Sequence, residues 1–297
     1  MQSGGMERVM LEEMKSLDAL ASEAEKRGLS LSSMALYLQA DSMKTTQEAL
    51  LDKMRQNLLV MRSSAENGMK EIQSASGLSG GMAQKLASHP SGLLGSVAHR
   101  AAVYALAIAE HNACMGRIVA APTAGSCGIL PGVLLALGET KGFSDEELTR
   151  GLVNAGAVGM VIAQNASLSG AQGGCAAECG SAGAMAASAA VELMGGSPTA
   201  CAHACAIALK AVMGLVCDPV AGLVEVPCVK RNASGAVIAL NSAELALAGI
   251  TSVICADEVI EAMQSVGCMM HESLKETAQG GIAATQTARK IEAKLRK

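Results

Sequence analysis

Tryptophan is absent from this 297-residue chain, and the other aromatics amount to two Tyr and one Phe. Without aromatic faces the chain lacks the stacking platforms of single-stranded nucleic-acid binders, and a net charge of −4 denies it a basic footprint. A nucleic-acid partner is therefore excluded. The same scarcity removes the aromatic belts of membrane interfaces. Mean hydropathy is +0.32, yet the apolar runs near 118–138, 151–168 and 236–256 are all interrupted: by Pro122 and Pro131, by Asn154, Gln164 and Asn165, and by Asn241 and Glu244. They read as buried helices, apolar on all sides, in a protein with no membrane span. Also missing is an apolar leader, since MQSGGMERVMLEEMKSL is polar and charged. Ten cysteines without a secretory leader point to the reduced cytoplasm, where thiols pack, bind metal or react. No alternating run is long enough for a sheet, and no repeat of fixed period occurs.

What is present is small and aliphatic. Half of the chain is apolar, carried by Ala, Val, Leu, Ile and 18 Met, and small side chains let helices approach closely. The expected fold is all-α, a compact bundle of closely packed, Ala/Gly-rich helices with an N-terminal helical arm. The charged first quarter, residues 1–73, is that arm, with amphipathic helices over 6–28 and 45–66. Between them LSLSSMALYLQADS fits a short helix or an extended piece equally. Residues 74–297 form the main helical body, with helices over 96–117, from the Ser144–Glu147 capping box to Gln164, from Ser197-Pro198 onward, over 233–248 and 257–266, and a basic last helix.

Polar chemistry gathers in glycine-rich segments. Ser79-Gly80-Gly81 with Lys85 one turn on reads equally as a cradle for a carboxylate or phosphate and as an ordinary connection. APTAGSCGILPG sets Thr123, Ser126 and Cys127 in an apolar stretch, as a small-molecule site requires. QNASLSGAQGGCAAECGSAGAM delivers Cys175 and Cys179, four apart, either a bidentate metal pair or one ligand and one packing thiol. Cys201 and Cys205 share a helix face away from His203 and read as core residues. In GLVCDPVAGLVEVPCVKRN, Cys217 precedes Asp218-Pro219 and Cys228 follows Pro227, which places both thiols on stiff turns suited to a metal or an iron-sulfur cluster.

Taken together, APTAGSCGILPG, NASLSGAQGGC, GLVCDPVAGLVEVPCVKRNA and KETAQGGIAAT resemble the iron-sulfur-dependent L-serine dehydratases, in particular the alpha subunit of the two-subunit bacterial type, over about residues 74–287. The resemblance implies a 4Fe-4S cluster on Cys175, Cys217 and Cys228, with one iron left for the substrate. It implies deaminating dehydration of L-serine to pyruvate and ammonia, the cluster acting as a Lewis acid on the substrate hydroxyl. The candidates for substrate binding are then Ser79, Gly80, Gly81, Lys85, Asn112, Thr123, Ser126, Asn165, Ser167 and Ser169. The general base is unassigned: the family does not require a histidine at His111, and His89, His203 and His271 are no better placed. The resemblance also implies a separate beta subunit, a homo- or hetero-oligomer, and weak activity of this chain alone. Two rivals differ in chemistry: a pyridoxal phosphate dehydratase, and a non-enzymatic protein with a zinc site on Cys175, Cys179, Cys217 and Cys228.

Overall fold

The structure is a computed structural model and describes residues 15–90 and 92–296. In chain order its helices are α1 (Leu17–Lys26), α2 (Leu31–Ser42), α3 (Gln47–Gly68), α4 (Met82–Ser88), α5 (Gly95–Ala113), α6 (Ile129–Lys141) and α7 (Asp145–Asn165). There follow α8 (Gly170–Cys175), which runs through a π-turn (Ala176–Gly180) into α9 (Ser181–Leu193), then α10 (Pro198–Ala211), α11 (Cys228–Leu247), α12 (Ala256–Met269) and α13 (Gln286–Leu295). No strand occurs among the described residues beyond one isolated bridge between Cys217 and Lys275, and the all-α expectation holds.

The helices begin where hydroxyl caps allow them to. Ser16, Ser30, Thr46, Ser144, Ser197 and Thr285 each accept a hydrogen bond from an amide of the first turn, and at Ser144 the Glu147 side chain completes the reciprocal box. The ambiguous LSLSSMALYLQADS is helical as α2, started by Ser30. The stretch expected over 6–28 is seen as α1, its part up to Met14 lying outside the described residues. The helix expected over 96–117 stops at Ala113, where Met115 turns to φ +61°.

At the centre lies α9, whose residues from Ser181 to Val191 are all buried. Being mostly Ala, Gly and Ser, it lets α7, α10 and α11 approach closely on its different sides. The arm helices use the same device: a Cβ on Gly68 of α3 would lie 1.9 Å from the Ala107 carbonyl oxygen of α5. Apolar residues from Leu17 to Ala65 share one continuous core with those of α5 through α12. The arm is tied down at its start too, because Asp257 at the head of α12 accepts from the Leu17 amide at 2.8 Å while Asp18 accepts from the Asp257 amide at 2.9 Å. Around this scaffold the 122–128 loop, the start of α8 and the segment before α11 come together.

Candidate active site

Three separated cysteines are brought within electrostatic reach of one another here. Cys217 lies between α10 and α11, its amide donating to the Leu274 carbonyl at 2.9 Å and its carbonyl accepting from the Glu276 amide at 2.7 Å. Cys228 is the first residue of α11, directly behind Pro227. The expectation that both thiols sit on irregular turns is thus right for Cys217 and corrected for Cys228: a proline in front of a helix gives up an N–H that would have had no intrahelical partner. Cys175 closes α8. It is aimed by Gly174, whose φ of +68° suits glycine and where a Cβ would lie 2.7 Å from the Leu215 carbonyl oxygen. The Ala176 amide then donates to that same oxygen at 2.9 Å, stitching the cysteine turn to the segment leading into Cys217.

All three thiols are buried, at 3 % exposure for Cys175 and Cys217 and 8 % for Cys228. They also feel one another. Cys175 is held below the usual thiol range, first by its hydrogen bond with Cys179 at 3.2 Å and further by the Arg231 guanidinium. Burial pushes Cys217 up, with Glu178 and Cys175 adding, and burial pushes Cys228 to about 12, with Cys175 and Glu178 adding. Arg231 is itself anchored, donating to Asp218 and to the Val216 carbonyl at 2.8 Å each. Three buried thiols without an imidazole form a soft donor set fit for an iron-sulfur cluster. No group of three or more His, Cys, Asp or Glu among the described residues is arranged around a single metal ion, which holds for the three cysteines as it does for the four-sulfur set. Cys201 and Cys205 are fully buried core residues, and His203 accepts from the Ser252 amide, as expected of packing residues.

The residue that sequence reasoning missed is Glu178, in the π-turn between Cys175 and Cys179. Its carboxylate lies 3.9 Å from the Cys217 sulfur. A Cβ on Gly170 would come within 2.7 Å of Oε2, and one on Gly125 within 3.3 Å of both oxygens. Burial raises Glu178 above the usual carboxylate range, while hydrogen bonds from Thr123, Cys217 and the Gly170 amide oppose that shift. A single acid in a run of Ala and Gly was the available signal. Asn232 was missed as well. It is buried on α11, accepts from the Gly128 amide at 2.8 Å and donates to the Gly125 carbonyl at 2.8 Å and the Cys228 carbonyl at 2.9 Å, fastening the 122–128 loop to Cys228.

The substrate candidates divide. Thr123, 3.1 Å from the Ser126 hydroxyl, is brought to Glu178 and so to Cys217, and Asn112 supports that loop by donating to the Ala124 carbonyl. Asn165 donates to the carbonyls of Lys15 and Val161. Ser167 bonds Gln172, and Ser169 caps α8 on the Ala171 amide, one residue from the glycine facing Cys217. Gly80, Gly81 and Lys85 line an open cavity of about 900 Å³ that none of the three cysteines lines. The amides that follow the two glycines are already used: Met82 and Ala83 each donate at 2.9 Å to the fully buried Glu110 carboxylate, so this end of α4 holds the chain's own anion. Ser79 is buried with its hydroxyl unpaired.

A family model described as the serine dehydratase alpha chain matches residues 16–283. The chain belongs to that family. Among curated members, the probable L-serine dehydratase alpha chain of Bacillus subtilis is 48% identical over 274 residues, covering 91% of both chains. The L-serine dehydratase alpha chain of Peptoniphilus asaccharolyticus is 41% identical over 270 residues, 90% of this chain and 92% of that one. A longer serine dehydratase, the L-serine dehydratase of Streptomyces coelicolor, is 37% identical over 295 residues, which are 94% of this chain but 64% of its own. In this serine dehydratase alpha chain, no helix among the described residues is long and apolar enough to cross a membrane.

Proposed function

We propose that the protein is the alpha subunit of an L-serine dehydratase that converts L-serine to pyruvate and ammonia in the cytoplasm, with a 4Fe-4S cluster held by Cys175, Cys217 and Cys228. The convergence of three buried, mutually interacting thiols from separate parts of the chain carries this reading, together with the names of its relatives. When bound, the cluster supplies a Lewis acid that helps the substrate hydroxyl leave. The chain's own residues do the rest. Helices packed around α9 exclude bulk water from the thiols, Asn232 fixes the loop bearing Thr123 and Ser126 against Cys228, and Arg231 offsets negative charge beside Cys175. Loss of the Cα proton and of the hydroxyl leaves an aminoacrylate, which hydrolyses to pyruvate and ammonia.

Residues 74–297 are the catalytic body in this reading and 1–73 the arm. A separate beta chain completes the enzyme, and the alpha chain alone is expected to be weakly active. The test is anaerobic purification, recording the visible spectrum and assaying pyruvate from L-serine before and after exposure to air. Brown protein that loses its colour and its activity together supports the proposal. Colourless, metal-free protein that still deaminates serine refutes it, and zinc in place of iron favours the structural site.

A further inference from the structure

Glu178 is a partly buried carboxylate with no matching cation. Among the described residues no Lys, Arg or His forms an ion pair with it, whereas the guanidinium near the same thiols, Arg231, is committed to Asp218 and the Val216 carbonyl. Buried charges in proteins are as a rule paired, and a carboxylate left alone among thiols is costly. Glu276 adds negative charge, and the nearest polar side chain, the Cys217 thiol 3.9 Å from Oε2, is a weak donor with no charge to offset it. The side chain is nevertheless held in place. Gly125 and Gly170 give up their side chains on two sides of it, and Thr123 and the Gly170 backbone lie where they favour its charged form. A site built to keep an anion without a partner awaits a cation from outside.

Resting on the dehydratase reading, we propose that Glu178 receives the α-ammonium group of the amino-acid substrate and so selects amino acids over the corresponding acids without nitrogen. An ammonium group is the only cation such a substrate carries, and its three N–H donors match the two carboxylate oxygens and a neighbouring hydroxyl such as that of Thr123. The substrate carboxylate, repelled by Glu178, lies on the far side of Cα. Glu178 is thereby a specificity-determining residue, and its position beside Cys217 sets the Cα and C3 atoms against the thiol cluster.

L-alanine and propionate differ in the ammonium group alone, and neither can lose water. Their dissociation constants are measured by anaerobic calorimetry on the iron-loaded protein together with its beta chain. The parent is expected to bind L-alanine at least about tenfold more tightly than propionate, in line with one charge-assisted contact. Glu178→Gln should reduce that ratio to within about twofold without weakening propionate. A parent that binds both alike overturns the proposal without any variant. So does a Gln variant that keeps the parent's ratio, or one that weakens both ligands equally. Pyruvate formation from L-serine by the same parent preparation reports separately on the dehydratase reading, so failure of one is not mistaken for failure of the other.

Discussion

Replacing Asn232 tests whether the active-site loop is held from α11. Its side chain serves three backbone groups: the Gly128 amide, the Gly125 carbonyl and the Cys228 carbonyl. In Asn232→Ala the Cys228 carbonyl keeps its place in the helix ladder, but Gly128 N–H and Gly125 C=O lose their Asn232 partner in a buried setting. At about 1–3 kcal/mol for each unsatisfied group, the loss amounts to roughly 2–6 kcal/mol. Asn232→Asp separates the two contacts. A carboxylate still accepts from Gly128 but faces the Gly125 and Cys228 oxygens with no donor, so it should be as damaging as Ala at neutral pH. Denaturant unfolding of the anaerobic apo chain is the assay, with an unchanged slope showing that stability and not compactness has altered. An Ala variant within about 0.5 kcal/mol of the parent, the range of an ordinary surface substitution, would refute the account of the loop.

Cys175→Ala, Cys217→Ala and Cys228→Ala should each bring iron and acid-labile sulfide to background in anaerobically reconstituted protein, while Cys205→Ala, deep in the core, should retain them. Gly170→Ala places a methyl 2.7 Å from Glu178 Oε2 and 3.0 Å from the Cys217 sulfur, and should lower iron content without unfolding the chain, as read by circular dichroism. His111 is held below its usual 6.5 by burial, with Lys70 adding. The unfolded chain therefore takes up a proton that the native state resists: stability is fully present above 6.5 and is lost as pH falls through the lower folded value. The Tm of the parent should fall more than that of His111→Gln between about pH 7.5 and about pH 5.5.

Local signals in the chain were legible. Ser144 with Glu147 and Ser197 with Pro198 start helices where short-range capping chemistry says they should, and interrupted apolar runs marked the buried helices α6, α7 and α11. What escaped depends on partners distant in sequence. The amides after Gly80-Gly81 looked available for a ligand, yet Glu110, on a different helix, takes both. Asn232 is an unremarkable polar residue until the fold sets it across from Gly125 and Gly128, more than a hundred residues earlier. Glu178 stood inside a segment already singled out for its cysteines. Its surroundings are made by Gly125, Gly170 and Cys217, three positions that only tertiary structure unites.

The pinning of Cys217 by Leu274 and Glu276, reinforced where the Ile282 amide donates to Asp218, has a consequence for the order of events during biosynthesis. The segment that fixes the Cys217 backbone is translated well after that cysteine, and the turn leading into Cys175 also rests on later residues, Gly267 and Met270. A growing chain therefore lacks the backbone support of Cys217 until residues 274–282 have been made. Under the proposed function, a cluster delivered earlier would meet an incomplete set of donors.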